Sequence, residues 1–213
     1  KEWCGREPNL DLYFNTRVDD VETENDRIQS VSVTQHSTET VYRLSAPLFV
    51  DATGDAFVAE AAGAEFRIGR EGQDEFGEHL APEKGDSKTL PCALYLIAHR
   101  REKPMPFTPP DWIYKHESCD DFPHRPHIVD KFDLGKRLNE EGSAIQLFWW
   151  FSLGGERNII KESETIQDEL EAEAMGVWDH LKNHCTNETR SALECYEAVW
   201  WSPFPLRRES RRV

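Results

Sequence analysis

The chain has 213 residues, with 25 Lys and Arg against 40 Asp and Glu, a formal net charge of −15 and a pI near 5.0. That acidity excludes a nucleic-acid-binding face, which needs cations to displace the counterions of phosphates, and it opposes docking on an anionic membrane. Apolar residues (38%) and aromatics (11%) suffice for a core, and no apolar run approaches the ~20 residues of a membrane span. At roughly 150 residues per domain the length predicts one domain or slightly more.

In chain order, the first forty-five residues read as β. Leu10, Leu12 and Phe14 alternate with polar neighbours, Val18 and Val21 follow, and Glu24-Asn25-Asp26 is a turn. Ile28, Val31 and Val33 lie in a β-branched stretch, and Val41 and Leu44 mark a further strand, so an antiparallel meander is expected. Leu48-Phe49-Val50 is continuous rather than alternating, as expected of a strand buried on both faces of a parallel sheet. It runs into Asp51-Ala52-Thr53-Gly54-Asp55, and Ala56 to Ala62 reads as a helix that Asp55 would cap and Gly63 would end.

Residues 66–88 read as loop, Cys92 to His99 as a strand and Pro104 to Pro110 as a connector. Ala144 to Leu153 is strand-like and stops at Gly154-Gly155. Ile166, Leu170, Ala174, Val177 and Leu181 recur at helical spacing, which predicts one long helix over Ser163 to His184 with Ser163 as N-cap. A second short helix is expected around Glu188 to Val199.

Five cysteines (Cys4, Cys92, Cys119, Cys185 and Cys195) form no CxxC pair and leave an odd one over, so buried or free thiols are expected and no metal site. His116, Cys119, Asp120, Asp121, His124 and His127 crowd one polar stretch. Their spacing fits no compact ligand motif and Pro123 and Pro126 break it, so it reads as solvated loop. His180 and His184 at i, i+4 lack the glutamate of a zinc-protease motif and read as an ordinary helix face. Phe148 to Phe151 read as sheet core, and Asn187-Glu188-Thr189 fits the N-glycosylation pattern. Asp51 and Asp55 could pair as acid and base, although nothing in the sequence shifts their protonation.

The strand–turn–helix at Leu48 to Ala62 places Thr53-Gly54 where a ligand could approach the backbone. Val50-Asp51-Ala52-Thr53-Gly54-Asp55 is followed by a small-residue helix and Gly63-Ala64-Glu65-Phe66-Arg67-Ile68-Gly69-Arg70-Glu71. Further on stand Phe76-Gly77-Glu78, Asp86-Ser87-Lys88-Thr89, Trp149-Trp150 and Leu153-Gly154-Gly155-Glu156, then the segment from Val177 to Asn183, and Arg208-Glu209-Ser210-Arg211-Arg212. This ordered set closely resembles the FAD-dependent oxidoreductase family of two-dinucleotide-binding-domain flavoproteins, often grouped with the heterodisulfide reductase A subunit.

The resemblance implies a mixed α/β (α+β) fold. Residues 1–65 would belong to a glutathione-reductase-like FAD-binding domain, with an antiparallel meander and a buried parallel strand. Residues 66–200 would form an inserted β-rich substrate-type lobe with one long helix, and residues 201–213 would return towards the FAD-binding domain. It implies FAD as cofactor, with Asp51, Ala52, Thr53, Gly54 and Asp55, and Arg208, Glu209, Ser210, Arg211 and Arg212, beside the flavin. Members open with a strand–GxGxxG–helix unit, whereas none of the twelve glycines here forms a Gly-x-Gly, so the chain reads as an internal section of a longer enzyme. The expected partners are a small-molecule substrate and an electron acceptor the sequence does not specify, with no nucleic acid or membrane. The expected location is cytoplasmic, and no catalytic residue is singled out. The competing reading is a non-enzymatic β-rich interaction domain that binds through its aromatic segment.

Overall fold

The first hairpin of the computed structural model, which describes residues 2–123, 127, 144–207 and 211–213, follows from its turn. Strand β1 (Thr16–Glu24) and strand β2 (Arg27–Gln35) meet at Asn25 and Asp26, with φ of 50° and 58°. Two left-handed residues are what a two-residue hairpin with the natural strand twist requires, and Asn and Asp tolerate them best. β3 (Thr40–Leu44) completes an antiparallel sheet of order β1-β2-β3, so the expected meander is present. A bulge between Val18 and Asp20 places Val18 opposite Val33 and Val21 opposite Val31, although the β1 valines are three apart. Val31 and Val33 are buried. Leu10, Leu12 and Phe14, read as alternating strand, instead lie exposed ahead of β1.

The expectation of a buried parallel strand at Leu48-Phe49-Val50 is overturned. These residues form no ladder among the described residues, and Leu48 and Val50 are 85% and 93% exposed. A short apolar run becomes a buried strand only when neighbours cover it, and none does here. Helix α1 (Phe57–Ala61) follows, and its N-cap position is held by Ala56 in the left-handed region (φ 52°) rather than by Asp55. β4 (Arg67–Ile68) pairs antiparallel with the last strand of the chain, β8 (Arg211–Arg212). These elements make one unit, residues 1–69 with 210–213; residues 70–209 make a second.

The second unit contains the short helix α2 (Gln73–Phe76) and an antiparallel sheet in which β5 (Cys92–Arg100) lies between β6 (Ala144–Leu153) and β7 (Tyr196–Trp201). Cys92, Leu94, Leu96 and Ala98 share one face of β5 and are buried in the core with helix α3 (Ser163–Asp179). The stripe Ile166, Leu170, Ala174, Val177 and Leu181 is fully buried there, and each large member contributes about 1.5–3 kcal/mol. The N-cap of α3 is Glu162, not Ser163; the Ser163 hydroxyl accepts from Arg207 Nη1 at 3.1 Å. Arg157 fixes the approach to the helix by donating to Glu162 (2.9 Å) and Glu169 (2.7 Å).

The helical run continues past Asp179 as a π-turn, His180–His184, and α4 (Asn187–Leu193) follows. The second helix expected to reach Val199 ends at Leu193, because Tyr196 to Trp201 pair with β5 as a strand. Aromatic and β-branched side chains in that stretch suit a pleated surface better than a helix. In β6, Phe151 is buried, in line with the core reading of the aromatic run; the side chains of residues 144–150 lie outside those described. Among the described residues no helix is long and apolar enough to cross a membrane.

Candidate functional site

In the first unit, Asp51 organises the turn that the sequence singles out. Its Oδ1 accepts from the Thr53 amide (2.9 Å) and hydroxyl (2.7 Å), and its Oδ2 accepts from the Ala59 amide (2.9 Å). Thr53 Oγ1 in turn accepts from the Phe57 amide at 2.8 Å. The first amides of α1 are therefore consumed by side chains, so a ligand that approaches Thr53-Gly54 meets no open N–H groups at this helix start. Partial burial pushes the Asp51 carboxyl up, but the bonds from Thr53 and from the Ala59 and Val58 amides outweigh it and hold its pKa below the usual value. A carboxylate held ionised in this way is a turn anchor and a poor proton donor.

Gly54 adopts φ +87° with nothing within 4 Å of where a Cβ would stand, so its outer face is open to close approach. A side chain here would be strained whatever the space. Arg211 donates from Nη1 to the Asp55 carbonyl (2.8 Å), pairs with Glu60 and stacks over the Phe66 ring at 5.3 Å. Its charge is thus already matched. Arg212 lies in β8 opposite Arg67. Arg208, Glu209 and Ser210 lie outside the described residues.

The second unit gathers residues that the sequence treats as unrelated. Cys119 Sγ lies 3.7 Å from His180 Nε2 and 3.8 Å from Cys185 Sγ, while His127 Nδ1 lies 3.3 Å from His180 Nε2 and 3.4 Å from Cys185 Sγ. All four donor atoms fall within 4.8 Å of one another. The sequence expects no metal ligands and a solvated loop at 116–127; the structure instead draws Cys119 and His127 from that loop onto the end of α3. Local geometry explains each position. Cys119 opens a 3₁₀ turn, Cys119–Asp121, whose start is fixed by reciprocal bonds between Ser118 and the 120–121 segment. His180 and Cys185 are joined by the π-turn's own bond, Cys185 N–H to the His180 carbonyl at 2.7 Å. In an α-helix, residues five apart sit about 140° round the axis from each other, so the wider turn is what puts these two side chains together.

Around the cluster, His180 Nδ1 bonds the His116 carbonyl (2.9 Å) and His127 Nε2 bonds the Phe122 carbonyl (3.2 Å). The Thr189 hydroxyl, in the Asn187 glycosylation pattern, is buried and donates to the His127 carbonyl. The Phe122 ring packs against His116, His127 and His180. Burial pushes the His180 pKa down and the Cys119 thiol up, the latter aided by Cys185. His184 is not part of the cluster; it pairs with Asp179 at 3.3 Å, and His116 pairs with Glu173 at 3.0 Å. No disulfide joins any of the five cysteines, all of which lie among the described residues. Elsewhere, a cleft of about 420 Å³ beside Pro104 to Phe107 meets Lys182, but that ammonium is already held by the carbonyls of Leu193, Glu194 and Tyr196.

A family profile described as FAD dependent oxidoreductase matches residues 1–213. The chain belongs to that family. No curated protein and no solved structure shows a significant match to it. FAD is the family's cofactor, and the turn locked by Asp51 and Thr53 leaves the outer face of Gly54 open to a ligand. The start of α1 does not offer a cradle for a pyrophosphate, since its first amides are spent and the nearby Arg211 is paired with Glu60.

Proposed function

We propose that the chain forms one wall of the flavin site of an FAD-dependent oxidoreductase that moves hydride or electrons between a small-molecule substrate and the flavin. The observation that carries this reading is the side-chain-locked Asp51–Thr53 turn with an open Gly54, in a chain that matches the family over its whole length. FAD, when bound, supplies the redox chemistry. Thr53 and Gly54 would present backbone to it, Asp51 holds that backbone in place, and Asp55 and Ala52 complete the turn. Residues 208–212 are proposed to border the same cofactor.

The exposed Leu48 and Val50, immediately before this turn, support a further part of the reading: these apolar side chains are left for another part of the flavin site to cover, and that part supplies the pyrophosphate-binding turn. The isolated chain is then expected to bind FAD weakly or not at all, whereas the longer protein carries a flavin spectrum that bleaches on reduction. Gly54→Val in that longer protein is expected to lower flavin occupancy. A folded longer protein that stays colourless with added FAD would instead favour the β-rich interaction domain. Micromolar FAD binding by the isolated chain would show that the site is more local than proposed.

A further inference from the structure

We propose that Cys119, His127, His180 and Cys185 bind a single Zn²⁺ ion in a closed, structural Cys₂His₂ site. The first argument is metric. With Zn–S near 2.3 Å and Zn–N near 2.0–2.1 Å, a tetrahedron has edges of about 3.8 Å for S···S, about 3.3–3.4 Å for N···N and about 3.6 Å for S···N. The observed edges are 3.8 Å for Cys119–Cys185, 3.3 Å for His127–His180, and 3.7 and 3.4 Å for two of the four sulfur–nitrogen pairs, the other two lying within 4.8 Å. A disulfide is a poor alternative, since its sulfurs stand about 2.05 Å apart.

The hydrogen positions on the two imidazoles point the same way. The outer nitrogens of both imidazoles face backbone carbonyls, His180 Nδ1 that of His116 and His127 Nε2 that of Phe122. A carbonyl accepts and never donates, so each outer nitrogen carries the N–H and each inner nitrogen of a neutral ring carries a lone pair. Two lone pairs facing each other at 3.3 Å, beside two sulfurs, need a proton or a metal cation between them, and a single metal ion meets all four donor atoms at once. This outer-carbonyl arrangement is also how proteins orient metal-binding histidines.

Charge balance favours the same occupant. Two thiolates and one divalent cation sum to zero, so the ion enters a site with a fully buried His180 and a buried Cys185 without leaving net charge there. Four protein ligands fill the tetrahedron and leave no position for substrate, which makes the ion structural. A two-iron cluster with the same ligand types needs its cysteine and histidine pairs on different irons, whereas these four atoms close around one centre. The ion would fasten the loop of residues 116–127 to the π-turn that ends α3, just before α4.

The test uses the full 213-residue chain, purified without a polyhistidine tag and without added chelator. Elemental analysis is expected to find one zinc per chain, lost on dialysis against a strong chelator with a fall in Tm. Refilling with Co²⁺ is expected to give the visible bands of a tetrahedral ion and a near-ultraviolet thiolate-to-metal band. Cys119→Ser should weaken Co²⁺ binding by more than about tenfold and reduce the thiolate band, while the exposed-cysteine control Cys4→Ser should change neither. The wild-type Co²⁺ spectrum needs no variant to fold. Overturning results are a natively folded chain that takes up neither Zn²⁺ nor Co²⁺, an octahedral Co²⁺ spectrum, unchanged binding in Cys119→Ser, iron in place of zinc, or a Cys119–Cys185 disulfide in the purified protein.

Discussion

Asp51 concentrates more of the first unit's local order than any neighbour in its turn, because one carboxylate satisfies four donors, the Thr53 amide and hydroxyl and the Val58 and Ala59 amides. Its pKa is lowered on folding, so its stabilising contribution is present above the unfolded value of about 3.8 and is lost as pH falls through the lower folded value. Asp51→Ala is expected to cost about 1 kcal/mol at pH 7, since the bonds are partly solvated. Thermal melts of variant and wild type should converge as the pH is taken below the folded pKa. Asp86 gives a simpler readout. The Arg70 guanidinium donates to both its oxygens and holds its pKa down to about 2. Arg70→Gln should return it towards 3.8 in a carboxyl titration followed by NMR.

At the scale of elements, α3 is held by two kinds of contact that fail differently. Leu170 fills the core beneath the helix, and Leu170→Ala is expected to cost about 2–5 kcal/mol in urea unfolding by leaving a cavity. Gly176 does the reverse: a Cβ there would overlap the Tyr114 carbonyl oxygen, a backbone atom that cannot swing aside. Helix propensity alone favours alanine over glycine by about 1 kcal/mol. Here Gly176→Ala should instead destabilise, by about 1–3 kcal/mol in the same assay. The sign of that change separates intrinsic propensity from the close approach of the 113–116 segment, which delivers the His116 carbonyl to His180.

At the scale of the whole molecule, the meander, the strand at Cys92, the strand from Ala144 to Leu153 and the helical stripe were legible, since alternation and 3.6-residue periodicity are local properties of the chain. The family was legible too, from short motifs in a fixed order. Two things were decided only in three dimensions. The burial of Leu48-Phe49-Val50 depends on what lies beside it, and an apolar run carries no information about whether a neighbour is present. The Cys119–His127–His180–Cys185 cluster joins residues on a proline-broken loop to residues some sixty positions later. One of its pairs meets only because five helical residues wind as a π-turn, so neither sequence spacing nor the α-helical period could place those four atoms around one point.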